Sequence, residues 1–266
     1  MDEALLPLLE RGRTGRVVVL TGAGISAESG IPTFRGPEGY WTVGSTNYEP
    51  SEIGTRAAFD RMPREVWRWY LFRATVCRAA EPNEAHRSLA RLEAGLGKRF
   101  DLVTQNVDGL HLRAGNSEER THHIHGSLAF VRGIDGHPPG LFPMPSNLPA
   151  FARDTPLDDA TWGRLVCPDG TRARPHVLWF DEYYDEEHYR ATTAENAASE
   201  ADLLIVIGTS GATTLPLRCA AMTARAGGAI VDVNPNDNPF ATFARDYEHG
   251  HWVQSSAVRA VPEIVD

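Results

Sequence analysis

The sequence contains four short runs that are apolar at nearly every position and rich in β-branched residues. They lie at 16–20 (RVVVL), 100–104 (FDLVT), 202–207 (DLLIVI) and 229–233 (AIVDV). Strands without polar alternation are typical of a parallel sheet that is covered on both faces. Helical patterns at 64–79, 84–96, 187–198 and 217–226 accompany these runs. The chain is therefore predicted to form an α/β fold with helices on both faces of a parallel sheet.

The segment 127–174 differs in character from the rest of the chain. It is rich in proline (GHPPGLFPMPSNLP) and shows little periodicity. A stretch of this length inside a compact domain is usually functional or forms a small module of its own. We therefore predict a loop-rich insertion. Its prolines and five apolar side chains are expected to hold it together: Phe130, Leu141, Phe142, Phe151 and Trp162.

Composition narrows the range of partners. The chain has 26 Lys and Arg against 35 Asp and Glu, a net charge of −9, which argues against nucleic acid as a partner. No apolar run approaches the roughly 20 residues that span a bilayer, so no membrane partner is expected. The opening residues (MDEALLPLLERGR) hold too short an apolar run for a secretory signal. Cys77, Cys167 and Cys219 are scattered and odd in number, which favours a reducing cytoplasm over a disulfide framework.

Polar and glycine-rich segments follow the predicted strands. Gly22-Ala23-Gly24 comes directly after the first strand, Gly208-Thr209-Ser210 ends another, and Asn234 ends the next. A Gly-x-Gly turn lets backbone N–H groups approach a pyrophosphate at a helix N-terminus, although glycine also serves tight turns for steric reasons alone. Ligands of open α/β sheets bind beyond the carboxyl ends of the strands. The three segments together therefore favour a dinucleotide.

Five segments, read in order, carry a resemblance to a known family. They are 22–36 (GAGISAESGIPTFRG), 104–115 (TQNVDGLHLRAG), 125–127 (HGS), 174–180 (RPHVLWF) and 208–210 (GTS) followed by Asn234. In this order they resemble the sirtuins, which are NAD-consuming protein lysine deacylases, over nearly the whole chain. The resemblance implies NAD as cofactor and a Rossmann-like NAD-binding domain formed by 1–36, 81–126 and 175–266. It also implies a smaller substrate-side module formed by 37–80 and 127–174.

The same resemblance implies a set of NAD-binding residues. Backbone groups of the turn Gly22 to Ile25 would line the pyrophosphate, and side chains elsewhere would hold the riboses, the nicotinamide and the adenine. These cofactor-binding residues are Gly22, Ala23, Gly24, Ile25, Phe34, Arg35, Gln105, Gly208, Thr209, Ser210, Asn234, Ser256 and Ala257.

Three further residues are implied to be catalytic. Asn106 would fix a ribose or a water, Asp108 would bind the nicotinamide carboxamide, and His125 would be the general base. The reaction requires a group that removes a proton from a ribose hydroxyl, and an imidazole that titrates near neutrality suits that task. Outside this set of motifs, a histidine at a strand end would be read as an ordinary structural residue.

The resemblance extends to a subgroup that removes acidic acyl groups. Thr33 stands where many sirtuins have Asp, and Tyr70 and Arg73 supply the Tyr-x-x-Arg pair of that subgroup, with Gly54 as the small residue that leaves room for a longer acyl chain. Residues three apart share a helical face, and a guanidinium beside a phenol suits a succinyl or malonyl carboxylate. The alternative is an amphipathic helix with a core tyrosine and a solvated arginine.

The zinc motif of the family is incomplete. Sirtuins usually carry Cys-x-x-Cys eight residues after the catalytic histidine, where this chain has Gly133 and Gly136. Of the second cysteine pair only Cys167 remains, and His137 does not complete the set. Because a structural zinc site normally needs four such ligands, we predict no metal in this module.

The peptide cleft also departs from the family. Val177, Phe180 and Asp181 are the implied substrate-binding residues, but Asp181 replaces a glycine at a backbone-pairing position. The loop 211–216 (GATTLP) is one residue longer and more polar than expected. Such clefts bind an extended peptide by backbone pairing. The changes therefore leave open weak peptide binding, or a small molecule as substrate.

Three functions follow from these observations. The leading prediction is an NAD-dependent deacylase that moves a succinyl, malonyl or acetyl group from lysine to ADP-ribose and releases nicotinamide. The alternative is an ADP-ribosyltransferase or NAD hydrolase on the same scaffold. A third interpretation is an NAD-sensing module without enzymatic activity. The partner is accordingly an acylated lysine in a protein or peptide, and the oligomeric state stays open.

Overall fold

The structure is a computed structural model that describes residues 3–33 and 50–265. Its strands are β1 (Val17–Thr21), β2 (Phe100–Thr104), β3 (Thr121–His123), β4 (Gly126–Ile134), β5 (His137–Pro143), β6 (Ala173–Val177), β7 (Leu203–Ile207), β8 (Ala229–Val233) and β9 (Gly250–Val253). Its α-helices are α1 (Leu6–Thr14), α2 (Pro50–Ile53), α3 (Arg56–Arg61), α4 (Pro63–Ala79), α5 (Glu84–Leu96), α6 (Leu110–Ala114), α7 (Asp159–Arg164), α8 (Glu186–Tyr189), α9 (Ala191–Ser199), α10 (Thr214–Arg225), α11 (Pro239–Asp246) and α12 (Ala257–Val265). Two 3₁₀-helices, Ala23–Ser29 and Gly97–Arg99, complete the described part.

Six strands form one sheet in the order β3-β2-β1-β7-β8-β9. Every neighbouring pair in this sheet is parallel. The predicted parallel sheet is therefore confirmed, and its order matches the doubly wound arrangement in which the chain reverses direction across the sheet after the third strand. That reversal falls between β1 and β7, and a crevice opens there at the carboxyl ends of the strands.

The central strands are apolar at most positions because helices cover both faces of the sheet. In β1, Val17 and Val19 pack with the cluster that includes helices α1, α5 and α12, whereas Val18 and Leu20 pack with the cluster of α9 and α10. All five residues of β1, β2, β7 and β8 are buried. Period-two alternation thus assigns neighbouring side chains to opposite cores, as expected for a two-sided sheet.

A second core lies outside the large sheet. It joins the α2–α4 segment to a three-stranded antiparallel sheet in the order β5-β4-β6. The large buried side chains at its centre are Trp67, Tyr70 and Trp179. These contacts bring part of 50–80 together with part of 127–174. The exact domain boundaries given above stay a prediction.

The insertion is more ordered than its sequence predicts. The stretch expected to be loops forms β4, β5 and the start of β6. Prolines hide β5 from pattern analysis, but β5 is an edge strand, where proline is tolerated because the outer N–H needs no partner. Of the five apolar side chains expected to hold the module, Leu141 is instead exposed, whereas Phe151 is buried and Phe142 and Trp162 pack against the core.

A tight turn occupies the place of the first cysteine pair. The β4–β5 hairpin closes with Ile134 opposite His137, through Asp135 and Gly136. Both turn residues have positive φ, 57° and 77°, which is the geometry of the Asp-Gly hairpin turn. At Gly133 a Cβ would collide with the backbone carbonyl of His137. The local backbone is thus shaped for glycine and does not suit a cysteine.

Two further observations concern metals and membranes. Within 3–33 and 50–265, no cluster of three or more His, Cys, Asp or Glu side chains is arranged to hold a metal ion. That the module is free of zinc remains a prediction. In the same ranges, no helix combines the length and apolarity required to cross a bilayer.

Candidate active site

The candidate site lies at the carboxyl ends of the central strands. Gly22 follows β1, Gln105 follows β2, Gly208 follows β7 and Asn234 follows β8. The structure therefore brings together the polar segments that the sequence predicts to meet. Backbone hydrogen bonds join these ends, since the N–H of Gly22 donates to Ile207 at 2.9 Å and that of Gln105 to Thr21 at 3.0 Å.

Glycine at two of these positions allows the backbones to touch. The N–H of Gly24 donates to the carbonyl of Gly208 at 2.8 Å. A Cβ on Gly24 would lie 2.7 Å from the Cα and 2.8 Å from the carbonyl oxygen of Gly208. Gly208 itself has φ +62°. Any side chain here would push the turn after β1 away from β7.

The same contacts involve backbone groups of the predicted phosphate site. The N–H of Gly24 is bonded to Gly208, and the N–H of Ile25 donates to Gly22 at 3.2 Å. Two donors that were expected to face the pyrophosphate are therefore used within the protein. Ile25 is also fully buried. The assignment of Gly22, Ala23, Gly24 and Ile25 to the phosphates stays a prediction, with close backbone approach as its physical basis.

Asn106 and Asp108 meet at a residue that sequence reasoning missed. The Asn106 amide donates to the carbonyl of Gly22 at 3.0 Å and to the hydroxyl of Ser26 at 3.2 Å. The Ser26 hydroxyl donates to a carboxylate oxygen of Asp108 at 2.8 Å. The other oxygen of Asp108 accepts from the backbone N–H of Leu110 at 2.9 Å. Ser26 therefore orients both predicted catalytic side chains.

Burial raises the pKa of Asp108. Its pKa is raised chiefly because burial disfavours the charged form, and the bonds from Leu110 and Ser26 and the charge of Arg73 oppose this. A carboxyl group in such surroundings can bind an amide either as acceptor or, when protonated, as donor. This chemistry fits the predicted role of Asp108 toward a carboxamide.

Two buried histidines lie close to hydroxyl groups of this network and of the neighbouring strand β1. His86 lies with Nε2 3.4 Å from the Ser26 hydroxyl, and His111 with Nε2 3.0 Å from that of Thr21. The two rings are 4.9 Å apart. Burial lowers the pKa of His86 to about 4, and that of His111 also falls well below its usual range. Both rings are thus neutral near pH 7.

His125 lies at the junction between the two cores. It precedes β4, and its carbonyl accepts from the N–H of Leu178 at 3.0 Å, just after β6. Its Nε2 is 2.9 Å from the hydroxyl of Tyr184. Burial lowers the pKa of His125 to about 4, against a hydrogen bond to the backbone of Gln105 that favours the protonated form. This is below the near-neutral pKa expected from the sequence, because burial disfavours the charged imidazolium. The ring is accordingly unprotonated near pH 7.

A hydrogen-bonded chain runs from β2 to β8. The Gln105 amide donates to the Thr209 hydroxyl at 2.9 Å, and its oxygen accepts from Thr213 at 3.2 Å. The Asn234 amide donates to the carbonyl of Thr209 at 2.9 Å. Gln105, Thr209 and Asn234 therefore form one array, whereas Ser210 beside them is exposed.

The remaining predicted cofactor-binding residues are Ser256, Ala257, Phe34 and Arg35. Ser256 and Ala257 lie at the start of α12, where the Ser256 hydroxyl donates to Glu28 at 3.2 Å. Glu28 belongs to the 3₁₀-helix that follows the glycine turn, so this position is adjacent to the predicted phosphate site. Phe34 and Arg35 lie outside the described residues, and so their roles stay predictions.

On the substrate side, Tyr70 and Arg73 lie together on α4. The Arg73 guanidinium carbon is 5.9 Å from the Tyr70 ring centre and 4.8 Å from that of Trp69. Both residues are buried, at 2% and 6% exposure. The alternative of a solvated arginine is therefore wrong. Burial raises the pKa of the Tyr70 hydroxyl to about 12, so it stays protonated as a donor.

Asp181 has a local structural partner. Its two carboxylate oxygens accept from the N–H groups of Arg56 at 2.7 Å and Ala57 at 3.1 Å. These are the first residues of α3, where a carboxylate stabilises the helix dipole and the free N–H groups. Beside it, the N–H of Phe180 donates to the carbonyl of Gly54 at 2.9 Å. Gly54, Phe180 and Asp181 thus fasten the cleft segment to the helical part of the module.

Val177 stands closer to the catalytic residues. It ends β6 and pairs with Gly126, the residue after His125. The segment that leads from Val177 to Asp181 therefore connects the predicted base to the helical module. Whether a peptide binds along it remains a prediction.

Sequence reasoning missed Ser26, His86, Tyr184 and Thr213. Ser26 lies inside the motif 22–36 and could have been found there. His86 has a local signal, since Asn83 caps α5 and exchanges hydrogen bonds with it. Tyr184 and Thr213 have none, because their contacts join segments far apart in the chain.

The site fits a dinucleotide on the evidence of its own residues. Two glycines allow close backbone approach, and half-buried polar side chains converge at the switch point of the sheet. Fold and site thus define a dinucleotide-binding α/β protein.

Comparisons with known proteins agree with this class. Residues 22–214 match the model of the Sir2 family. An NAD-dependent protein deacylase of Deinococcus radiodurans is 40% identical over 236 residues, which are 86% of this chain and 88% of that protein. The chain belongs to the Sir2 family.

Solved structures show the same likeness. A Sir2 homolog–NAD complex superposes with a TM-score of 0.79 and 35% sequence identity. The match covers all of this chain and 93% of the chain in that structure. A Sir2 complex with a deacetylated p53 peptide and 3'-O-acetyl ADP-ribose has a TM-score of 0.74 and 25% identity, with 98% and 96% covered. The predicted Rossmann-like fold with a smaller inserted module is thereby confirmed, and NAD is the cofactor.

Proposed function

We propose that this protein removes acidic acyl groups, succinyl or malonyl, from lysine side chains of proteins. The coarser activity, NAD-dependent deacylation, is supported by membership of the Sir2 family and by relatives named NAD-dependent protein deacylases. The observation that carries the finer proposal is the buried Tyr70–Arg73 pair on α4.

NAD supplies an activated ribose, which accepts the acyl group when nicotinamide departs. The residues that would hold it are the glycine turn after β1, the Gln105–Thr209–Asn234 array and the Asn106–Ser26–Asp108 network. Asp108 and Ser26 would bind and orient polar groups at the nicotinamide end. His125, neutral near pH 7, would take a hydroxyl proton at Nε2.

The acyl pocket is argued from charge and burial. Arg73 is a buried cation whose guanidinium carbon lies 5.9 Å from the centre of the Tyr70 ring. A buried guanidinium favours an anionic ligand, and its planar fork can bind a carboxylate bidentately. Succinyl and malonyl groups carry such a carboxylate, whereas acetyl does not. The charge of Arg73 also acts on Asp108, so this pocket lies near the nicotinamide end of the site.

Replacing Arg73 is expected to change the acyl preference. Arg73→Lys keeps the positive charge that acts on Asp108 but loses the fork, and Arg73→Met loses both. We expect the ratio of desuccinylation to deacetylation, measured as kcat/KM on matched peptides, to fall by roughly 10- to 100-fold in Arg73→Met, the value of a charged hydrogen-bond pair. Arg73→Lys should show a smaller fall.

Arg78, exposed on the same helix, provides the control. Arg78→Met should leave the ratio unchanged. If Arg73→Met lowers both activities equally, or leaves both as they are, the acidic-acyl assignment is wrong. General deacylation would then still stand.

A charged residue in the peptide cleft is one argument for the alternative activities, ADP-ribose transfer and NAD hydrolysis. The charged residue of this cleft, Asp181, is instead bonded to two backbone N–H groups at the start of α3. Its presence is accounted for by helix capping and does not indicate a new nucleophile.

A further inference from the structure

Within the part of the chain that the structure describes, the side chain hydrogen bonded to Nε2 of His125 is that of Tyr184. Its hydroxyl oxygen lies 2.9 Å from Nε2, and the two rings are 5.8 Å apart at 30°. Tyr184 comes from the segment between β6 and α8, and its ring packs against the buried cluster of α9 and α10. Nothing in the predicted catalytic set accounts for this contact.

The contact determines which ring nitrogen carries the proton. The second hydrogen bond of His125, to the backbone of Gln105, raises its pKa, so the ring donates and the carbonyl of Gln105 accepts. In the neutral ring that nitrogen holds the proton. Nε2 therefore bears the lone pair, and the Tyr184 hydroxyl donates to it.

Tyr184 has a second partner that can respond to protonation of the ring. Its hydroxyl also hydrogen bonds to the side chain of Thr213, and the Thr213 hydroxyl donates to the side-chain oxygen of Gln105 at 3.2 Å. Hydroxyl groups rotate. When Nε2 becomes protonated, the oxygen of Tyr184 can accept from it, while its own proton turns to Thr213.

We propose that Tyr184 is a positioning residue for the general base. Its hydroxyl fixes the tautomer and orientation of His125 in the free enzyme, and with Thr213 it provides a partner for Nε2 in both protonation states. Thr213 lies in the loop 211–216 and Tyr184 follows Asp181. The altered loop is thus linked to the catalytic histidine through Tyr184. This inference rests on the proposed role of His125.

The surroundings of the pair are nearly free of competing charge. The shift of His125 arises from burial and from the backbone of Gln105. Around Tyr184, burial dominates and raises the pKa of the phenol to about 12, with Cys219 and Arg218 of α10 as the titratable or charged groups that act on it. Tyr184 therefore acts as a neutral phenol throughout the working pH range. On the strand side, His123 stands two residues before His125, and burial lowers its pKa to about 4.

The test is a direct titration of His125 by NMR in the full-length, ligand-free protein with labelled histidine. The signal is assigned by its loss in His125→Ala. In Tyr184→Phe the neutral ring loses a donor and the protonated ring loses an acceptor. Because a hydrogen bond to the charged ring is the stronger of the two, the pKa of His125 should fall by about half to one pH unit. The acid limb of kcat/KM should move downward by the same amount.

Two variants complete the design. Tyr183→Phe alters the neighbouring tyrosine, which is 90% exposed, and should leave the titration unchanged. Thr213→Val removes the hydroxyl that accepts the proton of Tyr184 when His125 is protonated. The protonated ring is then less stable, so the pKa of His125 should shift downward. This second variant keeps the test valid if Tyr184→Phe proves unstable.

An unchanged or raised pKa of His125 in Tyr184→Phe, or a raised pKa in Thr213→Val, would overturn the proposal. The NMR titrations need no turnover, so they are independent of the deacylase assignment. The deacylase assignment fails separately, if the wild-type protein removes no acyl group from any acyl-lysine peptide in the presence of NAD.

Discussion

His125→Ala is expected to lower kcat for deacylation by roughly 10²- to 10⁴-fold, the usual contribution of a general base. The reason is that His125 is the predicted acceptor of the ribose hydroxyl proton and its ring is unprotonated near pH 7, so the variant leaves the predicted site without that base. Steady-state release of nicotinamide in the presence of an acyl-lysine peptide measures the effect. Binding of NAD, followed by calorimetry, should change little because the glycine turn and the Gln105 array are untouched.

His137→Ala is the matched control. His137 is exposed at the start of β5 and contributes no predicted catalytic group, so its variant should keep wild-type turnover. Retention of near-normal kcat in His125→Ala would contradict the assignment of the base.

Gly24→Val is expected to abolish productive use of NAD by displacing the turn after β1. Its Cβ would lie 2.7 Å from the Cα of Gly208, so one of the two backbones must move. Displacement of a binding element by about 1 Å can lower turnover about 10²-fold. We expect a loss of at least that order in kcat/KM for NAD, with the thermal unfolding midpoint also reduced.

Gly95→Ala provides the contrast, since no atom lies within 4 Å of a Cβ at Gly95. It stands within α5 and should be neutral or slightly stabilising, because alanine favours a helix. If Gly24→Val kept the wild-type kcat/KM for NAD, the glycine contact would not position the phosphate site.

The fold could be predicted where burial on both faces leaves a continuous apolar run. β2 and β8 match their predicted bounds. β1 and β7 each begin one residue later than predicted, and β1 also ends one residue later. Helix α5 matches because Asn83 caps it and Gly97 ends it. The helix predicted at 187–198 is instead divided at Arg190, which has φ +50°. This break could not be predicted, because arginine is not a residue type that favours a positive φ.

The site could be predicted as far as motifs extend. Gln105, Asn106, Asp108 and His125 stand in recognisable segments, and the parallel sheet brings their strand ends together. Tyr184 could not be predicted, because its contact with His125 depends on the path of the chain after β6. The antiparallel sheet of the insertion could not be predicted for a different reason. Prolines on its edge strand β5 remove the alternation of apolar and polar residues by which strands are recognised.

The central claim is that NAD is consumed only together with removal of an acyl group. The direct test incubates the wild-type protein with NAD and a succinyl-lysine, acetyl-lysine or unmodified peptide, and quantifies the products by mass spectrometry. We expect nicotinamide, deacylated peptide and acylated ADP-ribose in equal amounts, most rapidly with the succinyl peptide and at background level with the unmodified one. Nicotinamide released equally with the unmodified peptide, or ADP-ribose attached to the peptide itself, would contradict the account.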